Sequence, residues 1–218
     1  MADQAQLLWE RALTSLSDRT LRIVLNVLSS GFLTRDEQVN AGAAAIAAAQ
    51  RRAVTLADVA LAAELSSGVL PGARPVGVVW MESAAEQSAR LGKSVATVIS
   101  DNPAYVVADG TEAVAKESLA VRMGRLVDGQ VVEAASWSRG EAGATHAKVP
   151  GGIVGWIRGT SSKPCEWCQK VRGSPPAVHP VEHRIALHMG NDHCRQQYVS
   201  TLAGYGKWVG AFSEKPTA

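Results

Sequence analysis

All three cysteines and all five histidines of this chain lie beyond residue 145, as Cys165, Cys168 and Cys194 with His146, His179, His183, His188 and His193. A C-x-x-C pair followed by a histidine-rich stretch and a further cysteine holds enough thiolate and imidazole to close a tetrahedral zinc site. The last third of the chain is therefore expected to fold around chemistry, and the first two thirds around packing.

Composition narrows the remaining choices. With 218 residues and 46% hydrophobic content, the chain can build one large core or two small ones. A net charge of +2 is too small to demand a nucleic-acid partner by itself. Arg22 and Asn26 interrupt the most apolar early segment, so no bilayer-spanning run is expected. The opening MADQAQLLWERAL carries acidic residues and no basic n-region, which argues against a secretory signal. In a reducing setting, an odd number of thiols favours metal binding or free cysteines over a disulfide framework.

The first half reads as helix upon helix. Leu21, Val24, Leu25 and Leu28 form an i, i+3, i+4, i+7 stripe, Gly31 follows it, and Thr34-x-x-Glu37 is a capping-box signal for the next helix. That helix is alanine-rich and is expected from about Asp36 to Leu65, as one rod or as two helices joined near Ala53 to Thr55. The segment SSGVLPGARPVG cannot continue it and reads as a linker over 66–79. Ala84, Ser88, Leu91, Val95 and Val98 predict a helix between Trp80 and Ser100. Leu119, Met123, Leu126, Val127, Val131 and Ala134 predict another from Thr111 to about Ser138. Beyond Ser138, RGEAGATHAKVPGG reads as loop, IVGWIRG as a short strand, and Cys165-Glu-Trp-Cys168 as a turn leaving it.

The expected architecture is mainly α: a helical region over 1–70, a helical middle over 71–138, and a small C-terminal α+β zinc-knuckle-like module over 139–218. Cys165, Cys168 and Cys194 are the first candidates for a structural zinc, with the histidine-rich stretch before Cys194 as the source of the remaining ligand.

Other chemistries compete for the same residues. Pro164-Cys165-Glu166-Trp167-Cys168 matches half of a zinc-deaminase signature, but the H-x-E half is missing, since Ala147 and Lys148 follow His146. A thioredoxin-like pair needs a βαβ setting that the pattern lacks. His179-Pro180-Val181-Glu182-His183 fits H-x-x-E-H, yet Pro180 restricts the helix that this motif requires. A dyad of His146 with Ser136 or Ser138 has no specifying spacing. Lys163, Lys170, Arg172, Arg184 and Arg195, interleaved with Trp156, Trp167 and Tyr198, leave a zinc-stapled nucleic-acid-binding module as an alternative.

In order and texture, the stretch 112–199 resembles the Mu F-type head morphogenesis or minor capsid proteins of tailed bacteriophages. The likeness rests on the helix Leu119 to Ser138, Gly155-Trp156-Ile157-Arg158, the Cys165 and Cys168 turn, and Asn191-Asp-His-Cys194-Arg. Asn191 stands where that family has a histidine and Gln196 where it has a final cysteine. The resemblance implies a structural minor head protein in the virion, at the portal vertex or capsid interior, with structural zinc on Cys165, Cys168, Cys194 and, by position, His193, for which His188 is the alternative. It implies the portal or major capsid protein as partner, packaged DNA as a further contact, and neither membrane nor small-molecule substrate. Catalysis is not required by that role; proteolysis of scaffold or capsid is the enzymatic alternative.

Overall fold

Thr34 and Glu37 bridge reciprocally at the start of the second helix. The Thr34 amide and hydroxyl donate to Glu37 Oε2 at 2.8 and 2.7 Å, and the Glu37 amide donates back to Thr34 Oγ1 at 3.4 Å. Two of the donors that a helix start leaves without partners are thereby satisfied. The same device opens the third helix, where the Ser83 amide and hydroxyl reach Glu86 Oε2 at 3.0 and 2.7 Å. In both cases the hydrogen bonds from the capping residue hold the glutamate carboxyl below its usual range.

The computed structural model describes residues 2–68, 70–100, 112–153, 155–160, 166 and 194–199, with side-chain surroundings for 8–68, 70–100, 119–153, 155–156 and 166. Among these residues the chain is mainly helical. Helices α1 (Ala2–Leu28), α2 (Arg35–Ser67), α3 (Ala84–Ser100) and α4 (Glu112–Ala147) precede strands β1 (Gly155–Thr160) and β2 (Cys194–Val199). Two compact units are distinguished: one of Met1–Glu10, Thr55–Val78 and Ala135–Ala218, the other of Arg11–Val54 and Val79–Ala134.

In the second unit, α2 buries Ala43, Ile46, Ala47, Ala49, Ala53 and Val54, α1 buries Leu13, Val24 and Leu28, and α4 buries Leu119, Met123, Val127 and Val131. Small side chains on α2 let backbones approach. A Cβ on Gly42 would meet Val24 Cγ1 and Val95 Cγ1, each at 3.6 Å. The alanine-rich segment is thus one continuous helix rather than two.

Helix α3 begins at Ala84, after Trp80, and its buried row is Gln87, Leu91, Val95 and Ile99. The expected stripe put Ala84, Ser88 and Val98 inward; Ala84 and Ser88 are exposed and Val98 only half-buried. The row is rotated because Gln87 can enter the interior once its amide is paired. Its Nε2 donates to Gln50 Oε1 at 2.7 Å, and its Oε1 accepts from Arg51 Nη1 at 2.9 Å.

Helix α4 corrects a second expectation. It does not stop at Ser138 but continues through RGEAGATHA to Ala147. Weak helix formers are tolerated there because the turns are buried: Ser138, Arg139, Ala142 and His146 are all enclosed. Packing outweighs a propensity deficit of at most about 1 kcal/mol per glycine.

In the first unit, Leu61 and Leu65 of α2, Ala142 of α4, Ile153 and Trp156 form one cluster, with Leu70, Ala73, Val76 and Val78 packed on it. The stretch between α2 and α3 leaves the helical conformation, as its prolines and glycines require, yet it is fastened rather than free. The amides of Val76, Gly77 and Val78 donate to the buried Asp58 carboxylate at 3.1, 2.8 and 3.2 Å.

Candidate functional site

The zinc-ligand candidates divide into one residue with a described backbone and four without. Cys194 opens β2, which pairs antiparallel with β1 in the register Gly155↔Val199 through Thr160↔Cys194. Cys165, Cys168, His188 and His193 lie outside the described residues, as do His179 and His183. The short strand expected over IVGWIRG is β1. No group of three or more histidine, cysteine or acidic side chains able to hold a metal occurs among the described residues.

The strand pair is reached through a tightly made turn in the first unit. After α4, the Lys148 amide donates to Thr145 O at 3.2 Å, that of Val149 to His146 O at 3.3 Å, and that of Gly152 to Val149 O at 2.7 Å. Gly151 adopts φ 74°, a conformation favouring glycine. At Gly152 a Cβ would collide with the carbonyl oxygen of His146 and lie 2.6 Å from that of Val149. Both glycines are thus demanded by the turn. It returns the chain so that Ile153 and Trp156, 3% and 0% exposed, enter the cluster with Leu61 and Leu65.

Polar groups are buried in the same unit. Arg139 Nη2 meets Glu64 Oε2 at 2.6 Å, with side chains only 1% and 6% exposed, and the guanidinium lies 4.6 Å from the centroid of the Trp9 ring. Such a pair, stacked on an aromatic face, is an anchor between helices. His146 is also buried, and its Nε2 has no hydrogen-bond partner. Burial pushes its imidazole below the ordinary histidine range, against the field of Asp58, which acts in the opposite direction.

None of these groups forms a nucleophilic site with a neighbouring serine. Ser138 and His146 are eight positions apart on one continuous helix, about 12 Å along its axis, and Ser136 is farther still. Hydrogen-bond contact between serine and histidine, which a dyad needs, is out of reach.

The second unit holds a polar chain of its own. Trp80 Nε1 donates to Glu82 Oε2 at 3.0 Å, and Arg90 grips Glu82 through Nε and Nη2 at 2.7 and 2.8 Å. Arg90 Nη1 also reaches Gln130 Oε1, which accepts from Gln50 Nε2 at 3.1 Å. The Arg90 hydrogen bonds hold the Glu82 carboxyl below its usual range, and Glu82 in turn raises the Arg90 guanidinium. Each acceptor has a donor and no group is left poised to transfer a proton, so the chain sets helix register rather than chemistry.

Sequence reasoning did not find the Glu64–Arg139 pair, the Asp58 clamp or the buried His146. Glu64 and Asp58 do stand on the apolar face of α2 beside Leu61 and Leu65, which is the signal such residues leave: a charge at a core position of the helical period. No helix among the described residues is long and apolar enough to cross a membrane. Compared with known proteins, the chain matches no family model, no curated protein and no solved structure.

Proposed function

We propose that this chain is a structural minor head protein of a tailed bacteriophage, acting in head assembly at the portal vertex or inner capsid wall, with a zinc-stapled C-terminal module. The staple is supported by the β1–β2 register, in which Cys194 stands opposite Thr160, five positions before Cys165, and the head-protein role by the resemblance over 112–199. Along the chain, Cys165 and Cys194 are 194 − 165 = 29 positions apart. Through the ladder, the separation shrinks to those five positions and one rung. Shortening an effective loop by that factor removes roughly 1 kcal/mol of closure entropy before any metal binds.

The donor set fits zinc. Three thiolates with one imidazole, from His193 or His188, make a closed tetrahedral structural site. Bound zinc would supply folding free energy to a segment whose described strand pair is only six residues long on each side. The chain's own part is to hold the two cysteine-bearing stretches together through β1 and β2, and to anchor β1 through Trp156 in the apolar cluster of the first unit.

The reading is tested by metal analysis of the purified full chain and by the variant Cys165→Ser. Near-stoichiometric zinc in the parent, its loss in the variant, and reduced incorporation of the variant into phage heads are expected. A variant that keeps its metal and enters heads normally refutes the staple. Cleavage of scaffold or capsid precursor by the purified protein refutes the purely structural role.

A further inference from the structure

We propose that His146 is an acid-responsive latch at the junction of α4 and β1: protonating its ring releases the turn 148–153 and the strand pair beyond it from the apolar cluster of the first unit. The inference stands on the described residues alone and is independent of zinc.

Three features of the geometry converge on this residue. His146 is 4% exposed and its Nε2 has no partner, so an imidazolium formed there would carry a buried N–H with nothing to receive it. Its backbone carbonyl holds the turn, accepting from the Val149 amide and leaving no room for a side chain at Gly152. Trp156 follows ten positions later and is fully enclosed by the cluster that includes Leu61, Leu65 and Ala142. A ring that must move to find water therefore pulls on the same short segment that keeps β1 in place.

Burial, and not the charges around the ring, sets the direction of the response. From α2 the group acting on it is Asp58, which favours the charged ring, but both Asp58 oxygens already accept amides from Val76, Gly77 and Val78. On α4 and just beyond it, the charges nearest in sequence are Glu141 and the exposed Lys148, and the turn 149–153 carries none. The C-terminal end of α4 also favours a cation. Burial outweighs these influences, so the folded ring binds a proton less readily than the unfolded one. The stabilisation is accordingly complete above pH of about 6.5 and is lost as pH falls through 6.5 toward the lower folded value, levelling off below it.

The test is hydrogen exchange of the full chain at pH 7.5 and 5.5, corrected for intrinsic exchange rates, together with an NMR titration of the His146 ring. A group that ionises only when the segment opens raises the opening equilibrium by up to about tenfold over that interval. Protection of 148–160 is expected to fall by several-fold up to that limit, while 43–54 in the second unit stays constant. His146→Phe and His146→Gln are each expected to abolish the response. A ring that titrates at or above the ordinary histidine value, protection of 148–160 unchanged within twofold, or a pH response that persists in either variant overturns the latch. The titration and the parent exchange data need no variant and decide the matter if neither substitution folds.

Discussion

Removing the carboxylate of Glu64 is expected to be among the most destabilising single changes in the described fold. Arg139 is 1% exposed on its side chain, so Glu64→Ala removes the carboxylate from a guanidinium that water hardly reaches. The Trp9 face at 4.6 Å remains, but a cation–π contact supplies only about 2 kcal/mol when desolvated. Breaking a buried pair from one side costs about 3–5 kcal/mol, a large fraction of the 5–15 kcal/mol that holds a typical domain folded. Glu82→Ala is the internal control. Its partner Arg90 has a side chain 36% exposed and keeps Gln130, so the loss there is about 1 kcal/mol for the pair and a further ~1 kcal/mol for the Trp80 N–H left behind. Urea denaturation followed by far-UV circular dichroism measures both; the midpoint of Glu64→Ala should drop markedly further, and its melting temperature by about 10 °C. Replacing both partners, Glu64→Leu with Arg139→Met, should restore stability to the parent value or above it, because desolvating two charges costs about as much as their attraction returns. Equal losses for Glu64→Ala and Glu82→Ala, or a double variant as unstable as Glu64→Ala, would refute the reasoning that burial sets the worth of these pairs.

Asp58→Ala should free the inter-helix stretch: three amides lose their acceptor, costing about 2–4 kcal/mol in total, with exchange of the Val76, Gly77 and Val78 amides accelerating well ahead of α3. Two glycine substitutions should go in opposite directions. Gly152→Ala meets the backbone carbonyls of His146 and Val149, so the turn must shift and melting temperature should fall. Gly42→Ala places its methyl in ordinary contact with Val24 and Val95 and gains helix propensity, so it should stabilise by up to about 1 kcal/mol in the same denaturation assay.

Much of the helical scaffold was legible from residue pattern. The capping box at Thr34, the stripe from Leu119 to Ala134 and the break after Ser67 all follow from nearest-neighbour chemistry along the chain. Two helices were misjudged for one common reason. In α3 the buried position is Gln87, and in the extension of α4 the buried positions include Arg139 and His146. Polar residues register as surface or loop in any hydropathy pattern, and Gln87 and Arg139 lie inside beside partners distant in sequence. Gln50 stands 37 positions from Gln87 and Glu64 stands 75 positions from Arg139. The zinc-ligand set was proposed from residue type and spacing, and β2 adds to it the register that brings Cys194 opposite Thr160.

What the sequence determined by itself was the capped start of α2, the apolar stripe of α4, and that thiols and imidazoles concentrate at one end of the chain. Those properties depend on hydrogen bonds and side-chain spacing within a few residues, which linear order encodes directly. Tertiary structure alone decided that Asp58 clamps the stretch after α2, that Glu64 neutralises Arg139, and that His146 is enclosed without a partner for Nε2. Whether a polar group is buried, and whether it is satisfied there, depends on which distant segment arrives beside it. Only the packed chain settles that.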